Sequence, residues 1–311
     1  MDQLTEPAAG LVWHYTDGPG LLAIVQSHTL WCTASPFLND AGEVTLGART
    51  LHQELERRIR TDSRYEALLP LLDDTQWTRP DDPGEGPSPA TCFILSAAQE
   101  GDLLVMWRLY GGGGESYAVG LDPQAPLSVL GGSQADPHDI RVQHRPWRPV
   151  RYGEDDQRAL VDAVFDELPE EMSDAADGGV IRPRDAGAMD ALGQLRDDLE
   201  AALMLIKHPG FVDERETRYC VGIHHWLDEA ALPPGVVRHR ATAYGMAPYL
   251  VLTGAGEQGT PIVSTTAPLP IRALAISPSP NGRAATDSAR ELLASYGYDV
   301  PVVRSHIPYR E

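Results

Sequence analysis

Residues 11–34 read L-V-W-H-Y-T-D-G-P-G-L-L-A-I-V-Q-S-H-T-L-W-C-T-A, a stretch that predicts a strand, a helix and a second strand in succession. The flanking runs L-V-W-H-Y-T and T-L-W-C-T-A have the aromatic and β-branched content of short strands. Between them, Asp17 can cap a helix that carries Pro19 in its first turn. Leu21 and Val25 give that helix an apolar face that can pack on a core.

The alternation of strands and helices continues downstream. Helices are predicted over residues 43–60, 154–167, 186–206 and 285–295. Buried strands are predicted in the runs A-T-C-F-I-L-S, S-Y-A-V-G-L-D, T-R-Y-C-V-G-I, I-R-A-L-A-I-S and V-P-V-V-R. Strands that cluster around inserted helices indicate an α+β fold.

The length of 311 residues and the hydrophobic content of 42% are sufficient for a sizeable core. We predict one domain over residues 1–311. Two segments, at about residues 73–90 and 169–185, are rich in Asp, Pro and Gly, and we expect them to be exposed, mobile loops rather than linkers.

The net charge of −20 limits the class of partner. No cluster of basic residues is visible, so binding to duplex DNA is not expected. A local groove lined by arginines is the alternative. No run of about 18 apolar residues predicts a membrane span, and the N-terminal M-D-Q-L-T-E-P lacks the features of a signal peptide. We therefore expect a cytoplasmic protein.

The three cysteines, Cys32, Cys92 and Cys220, are widely spaced in apolar, strand-like contexts. An odd number without a C-x-x-C motif argues against a disulfide framework and against a zinc site. We expect three buried thiols.

Two short signatures carry the chemistry of the chain. His14 lies in the first strand, and E-R-E at residues 214–216 opens a late strand. A histidine can hold a ribose hydroxyl, and Glu216 can stabilise an oxocarbenium-like centre while Glu214 steers the attacking group. The alternatives are a structural hydrogen bond of His14 within the sheet and a solvated strand edge for the two glutamates. On one strand face the two carboxylates would repel each other unless a cation or ligand lies near.

Further polar and aromatic residues adjoin the first signature and a run of four glycines. Asn39 belongs to a cluster that either caps the next helix or faces a ligand. Trp107, Arg108 and Tyr110 precede the glycines, and a strand follows them, which excludes a P-loop. Arg108 suits either a pyrophosphate or a buried carboxylate such as Glu216.

Five ordered motifs resemble a bacterial domain-of-unknown-function family, number 2971. They are W-H-Y-T-D-G-P-G-L-L-A-I-V-Q-S-H-T-L-W-C-T, F-L-N-D-A-G-E, M-W-R-L-Y-G-G-G-G, K-H-P-G-F-V-D-E-R-E-T-R and L-P-I-R-A-L-A-I-S-P-S-P-N. The resemblance covers residues 12–309. The arrangement in turn looks like the ADP-ribosyltransferase superfamily, which implies a split mixed or antiparallel sheet with inserted helices.

The resemblance implies an enzyme that uses NAD as its substrate and transfers ADP-ribose to an acceptor, or to water as a glycohydrolase. His14 takes the ribose role, Glu216 the catalytic role, and Glu214 completes a Glu-x-Glu motif. Ser96 stands where some relatives carry Ser-Thr-Ser. The implied cofactor-binding residues are His14, Tyr15, Thr16, Asn39, Ser96, Trp107, Arg108 and Tyr110, although Tyr15 also suits the core. No metal ion is implied.

Two functions remain open. One is an ADP-ribosyltransferase-like enzyme, such as a toxin or phage-defence effector, that acts on a protein, nucleic-acid or small-molecule acceptor. The other is a non-catalytic nucleotide-binding sensor or interaction module in a defence or toxin–antitoxin system. For the enzyme we expect His14, Glu216 and Arg108 to converge on one cleft, with the first strand and the E-R-E strand as near neighbours.

Overall fold

A computed structural model describes most of the chain. The described residues are 10–38, 43–69, 92–111, 114–131, 140–166, 186–225, 235–242, 245–255 and 261–308. Asn39 and the two predicted loops at about 73–90 and 169–185 lie outside these residues. The chain divides into two compact units: unit 1 comprises Met1–Thr33, Phe93–Pro149 and Val212–Glu311, and unit 2 comprises Ala34–Cys92 and Val150–Phe211.

The first predicted strand–helix–strand is confirmed. Strand β1 spans Val12–Asp17, helix α1 spans Gly18–Ser27 and strand β2 spans Thr29–Ala34. The Asp17 carboxylate caps α1 by accepting a hydrogen bond of 2.7 Å from the Gly20 backbone N–H. The helix ends at His28, which adopts a left-handed conformation and turns the chain into β2.

The described strands form a 12-stranded mixed sheet. The remaining strands are β3 Cys92–Ala98, β4 Ser116–Leu121, β5 Leu127–Leu130, β6 Ile140–Pro149, β7 Glu216–His225, β8 Arg238–Thr242, β9 Gly245–Gly254, β10 Ile262–Val263, β11 Ile271–Ile276 and β12 Val302–Arg304. The main order is β10-β5-β9-β2-β3-β1-β4-β11-β12. Strand β7 joins β3 and carries β6, and β8 pairs with β9. The sheet therefore branches at β3, which bonds to β1, β2 and β7.

Five further helices complete the mixed α/β architecture of the described residues. They are α2 Glu43–Thr61, α3 Leu104–Tyr110, α4 Glu154–Asp166, α5 Ala186–Leu203 and α6 Arg283–Ser295. Four of them confirm predicted helices to within three residues at each end. Helix α5 stops before the predicted end at residue 206 because Ile206 forms a parallel β-bridge with Arg151. None of the helices in the described part of the chain is long and apolar enough to cross a lipid bilayer.

The core of unit 1 surrounds β1. Trp13 and Tyr15 are 2% and 3% exposed and pack with Met106 and Trp107 of α3 and with alanines of the neighbouring strands. The three cysteines are all buried and form no disulfide, as predicted.

Unit 2 is held partly by buried polar groups. Glu54 of α2 is buried and pairs with Arg57, while Arg58 donates to Asp162 of α4 at 2.7 Å. Lys207 is also buried; its backbone carbonyl accepts a hydrogen bond of 2.9 Å from the Gln157 side chain. Because such groups are satisfied internally, they can be kept away from water.

Candidate functional site

His14 is held in one orientation and one tautomer. Its Nδ1 lies 2.9 Å from the Ser96 carbonyl oxygen on β3. A carbonyl can only accept, so Nδ1 must carry the proton. Burial lowers the pKa of His14, which favours the neutral ring despite the opposing effect of this hydrogen bond. The second ring nitrogen, Nε2, is therefore a hydrogen-bond acceptor.

Tyr15 points into the core on the opposite side of β1 from His14. Its hydroxyl donates to the Glu100 carbonyl at 2.9 Å and accepts from the Leu103 N–H at 3.0 Å. Its ring packs edge-on against Trp107 with centroids 4.6 Å apart. Burial raises the pKa of Tyr15. Tyr15 thus fixes the segment that leads from β3 into α3.

Helix α3 separates the three candidate residues that it carries. Trp107 is buried, and its Nε1 donates to Asp102 at 2.8 Å. Arg108 and Tyr110 are exposed. The same Asp102 carboxylate accepts from the Ser305 hydroxyl at 2.5 Å and from the His306 N–H at 3.1 Å. Asp102 therefore ties α3 to the segment that follows β12, a role that the sequence did not indicate.

Glu216 begins β7 and forms a buried ion pair with Arg218. The guanidinium donates to both carboxylate oxygens, each at 2.9 Å. Glu216 is 5% exposed and Arg218 is 2% exposed. The cation that the sequence analysis required near Glu216 is Arg218, two residues along the same strand face, whereas Arg108 is exposed on α3.

Glu214 does not share a strand with Glu216, so the predicted common face of the two glutamates is wrong. Glu214 ends a 3₁₀ helix, Pro209–Glu214, and β7 begins only at Glu216. Between them Arg215 adopts φ 46°, in the left-handed region. Strand alternation requires extended backbone at each residue, and this single left-handed residue interrupts it.

Strands β1 and β7 both attach to the same end of β3. Trp13 on β1 pairs with Ala98, two residues beyond Ser96, whose carbonyl fixes His14. One residue beyond β3, the Gln99 N–H donates to the Arg215 carbonyl at 2.9 Å. His14 and the residue before β7 therefore both bond to the stretch from Ser96 to Gln99 at the end of β3.

The other candidates lie at the edges of this arrangement. Thr16 is partly buried, and its hydroxyl lies against Gly20 in the first turn of α1, where any Cβ would overlap it. Ser96 contacts His14 through its carbonyl rather than its hydroxyl. Asn39 lies outside the described residues. Among the residues that are described, no group of three or more His, Cys, Asp or Glu side chains could hold a metal ion.

The Glu-x-Arg spacing at the start of β7 was the signal for the buried pair, because residues two apart on a strand share a face. Nothing in the sequence indicated Asp102, since its three partners come from a helix and from a segment about 200 residues away. In comparisons with known proteins, no family model, no curated protein and no solved structure matches this chain.

Proposed function

We propose that this chain is an ADP-ribosyltransferase-like enzyme of the bacterial family number 2971, with NAD as its substrate. His14 holds the ribose next to nicotinamide, and Glu216 stabilises the positive charge that develops at the anomeric carbon. The bond from that carbon to the nicotinamide nitrogen breaks, and its electron pair leaves with nicotinamide. The acceptor then attacks the carbon and loses a proton.

The acceptor state of the His14 ring is the observation that carries the proposal. The Nδ1–H of His14 donates to the Ser96 carbonyl and burial lowers the pKa of the ring, so Nε2 presents a lone pair. A sugar hydroxyl can donate a hydrogen bond to this nitrogen. A ring held in one tautomer loses little freedom on binding, which favours a positioning role at the sugar.

The environment of Glu216 suits a group that acts by its charge. Each carboxylate oxygen receives a hydrogen bond of 2.9 Å from Arg218, which holds the negative charge in a fixed position. Water is largely excluded from a side chain that is 5% exposed, so its field is less screened than at the surface. In this proposal the exposed Arg108 contacts the pyrophosphate, and Glu214 orients the acceptor.

The same ion pair favours a second candidate, a non-catalytic nucleotide-binding module. Arg218 compensates much of the Glu216 charge, and a carboxylate in a buried bidentate pair is also what a purely structural role requires. In such a module His14 would still recognise a ribose hydroxyl, but NAD would be bound without turnover.

Nicotinamide release separates the two functions. Purified protein is incubated with NAD, with and without protein, nucleic-acid and small-molecule acceptors, and free nicotinamide is quantified by chromatography. The enzyme predicts release that falls roughly 100-fold or more in Glu216→Gln, with little change in NAD affinity. Release without any acceptor would identify a glycohydrolase.

Glu54→Gln is the matched control for this experiment, because Glu54 is also buried and paired with an arginine but lies on α2 of unit 2. It should leave release unchanged. NAD binding by wild type without release under any condition would reject the enzyme and favour the module, provided that His14→Ala weakens that binding.

A further inference from the structure

An aromatic–arginine face lies on strands β2, β8 and β9, away from the residues assigned above. Trp31 is 47% exposed, although every other residue of β2 is buried and β2 lies inside the sheet between β9 and β3. Its ring is 4.8 Å from the ring of Tyr249, at an angle of 41°. An interior strand that presents one large aromatic side chain to solvent leaves a stacking surface uncovered.

Two arginines complete this face. The Arg240 guanidinium lies 5.3 Å from the Trp31 ring centroid and 6.0 Å from that of Tyr249. Arg238 is exposed and is paired directly with Tyr249 in the β8–β9 register, so both project from the same side. The face therefore combines two aromatic rings with two permanent positive charges.

Arg240 is positioned but not fully satisfied. One of its terminal nitrogens donates to the Thr33 hydroxyl at 2.9 Å, which anchors the guanidinium over the rings. Its Nε is buried and donates to no acceptor within the described residues. A buried donor without an acceptor is unfavourable, so an oxygen-rich ligand that shifts this side chain slightly would gain a hydrogen bond.

Charge is segregated around this face. Strand β8 contains two arginines and one histidine and carries no acidic residue. The whole chain has a net charge of −20. On an acidic protein, the arginines of β8 beside Trp31 and Tyr249 provide a local site for an anion.

We infer that the aromatic–arginine face binds single-stranded nucleic acid, with bases stacked on Trp31 and Tyr249 and phosphates held by Arg238 and Arg240. Stacking on aromatic side chains beside a basic track is how proteins bind single strands without sequence preference. A duplex keeps its base faces stacked internally, so they are not available to Trp31 and Tyr249. This inference does not depend on NAD chemistry.

The test is fluorescence anisotropy with labelled 12-mers of deoxythymidine, uridine and a DNA duplex, titrated with the full chain at several salt concentrations. Single strands should bind at low salt and the duplex should not. Trp31→Ala should weaken binding roughly 5- to 100-fold, whereas Trp31→Phe keeps most of the affinity. Arg238→Gln should lower the slope of log affinity against log salt by about 0.7. The deoxythymidine and uridine arms show whether DNA or RNA is preferred.

Leu22→Ala and Arg290→Gln are matched controls, because both residues are exposed on helices, and both variants should bind like wild type. If Trp31→Ala does not fold, stacking is measured by tryptophan fluorescence instead. A bound single strand should quench the fluorescence of wild type, and this quenching should be lost in Trp31→Phe. The inference is overturned if no single strand binds, if duplex or adenosine monophosphate binds as tightly, if polyglutamate competes equally, or if folded Trp31→Ala keeps full affinity.

Discussion

Arg218 donates one hydrogen bond of 2.9 Å to each carboxylate oxygen of Glu216, and both side chains are almost wholly buried. The pair lies at the start of β7, immediately after a residue in the left-handed region. The charges of Glu216 and Arg218 therefore affect the stability of the fold as well as any catalysis. The effect on unfolding and the effect on activity can be measured separately.

Arg218→Met should lower the free energy of unfolding by about 3–5 kcal/mol, because it removes the opposite charge and the two hydrogen bonds that Arg218 supplies to the buried Glu216 carboxylate. Adding Glu216→Gln to Arg218→Met should recover part of that loss. Urea denaturation of the two single variants and the double variant gives the coupling energy. Arg272→Met is the control: its ion pair with Asp122 is exposed and should be worth less than about 1 kcal/mol. Equal losses for Arg218→Met and Arg272→Met would contradict this prediction.

Arg215→Val should destabilise unit 1 by about 1–2 kcal/mol, because a β-branched residue is strongly disfavoured at a φ of 46°. Arg215→Gly should change stability by less than about 1 kcal/mol, since glycine tolerates this conformation but adds freedom to the unfolded chain. Both variants lose the exposed ion pair with Glu100, so the difference in stability between them reflects the backbone conformation at residue 215. Thermal melting of the two proteins measures it, and equal melting temperatures would show that Arg215 is not held in this conformation in solution.

Stability should fall as the pH drops below about 6.5, partly because of His14 and His144. Burial lowers the pKa of both rings from the ordinary value of 6.5. The unfolded chain then binds more protons than the folded one between the lowered and the ordinary pKa, so this contribution is present above pH 6.5 and is lost on acidification. Each ring can contribute a slope of at most about 1.4 kcal/mol per pH unit.

As the pH is lowered from 8 to 5, the free energy of unfolding of His14→Gln should fall less steeply than that of wild type. Urea unfolding at each pH measures it. The comparison removes the effect of the many carboxylates, because they are common to both proteins. Parallel curves would mean that the His14 ring takes up its proton equally well in the folded and unfolded states.

Asp102→Ala should cost about 2 kcal/mol or more, since it removes the acceptor for Trp107, Ser305 and His306 at once. The segment after β12 should also become more sensitive to protease, because two of the three bonds anchor it. Asp122→Ala, which removes the ion-pair partner of the exposed Arg272, should have little effect. Limited proteolysis with mass spectrometry, together with urea unfolding, tests both parts. Unaltered cleavage after Asp102→Ala would refute the anchoring role.

The sequence predicted the elements well where local signals and burial agree. Asp17, Pro19 and the apolar face of α1 all indicate the same helix, and the structure has that helix between the two predicted strands. The start of β7 was predicted less accurately. Arg215 carries no signal for a left-handed conformation, because that conformation results from the junction of a 3₁₀ helix with β7 rather than from local preference.

In the candidate site too, features with a local sequence signal could be predicted, and features that depend on distant residues could not. His14 could be assigned to β1 from its neighbours, but its tautomer depends on a carbonyl 82 residues away on β3. Arg218 could have been identified as the partner of Glu216 from strand periodicity, although the sequence analysis named Arg108 instead. The link from Asp102 to Ser305 joins distant segments, and periodicity does not encode such contacts. Long-range contacts of this kind require the three-dimensional structure.

Lys207 is the single lysine of the chain, and it is 7% exposed, with its ammonium 4.8 Å from the centre of the Phe211 ring. Every other cationic side chain apart from the histidines is an arginine. The folded protein therefore offers almost no side-chain amine to acylating reagents or to enzymes that attach modifiers to lysine. Tagging for degradation through an isopeptide bond at this residue would require local opening of unit 2 first, which would couple the lifetime of the protein to its folding.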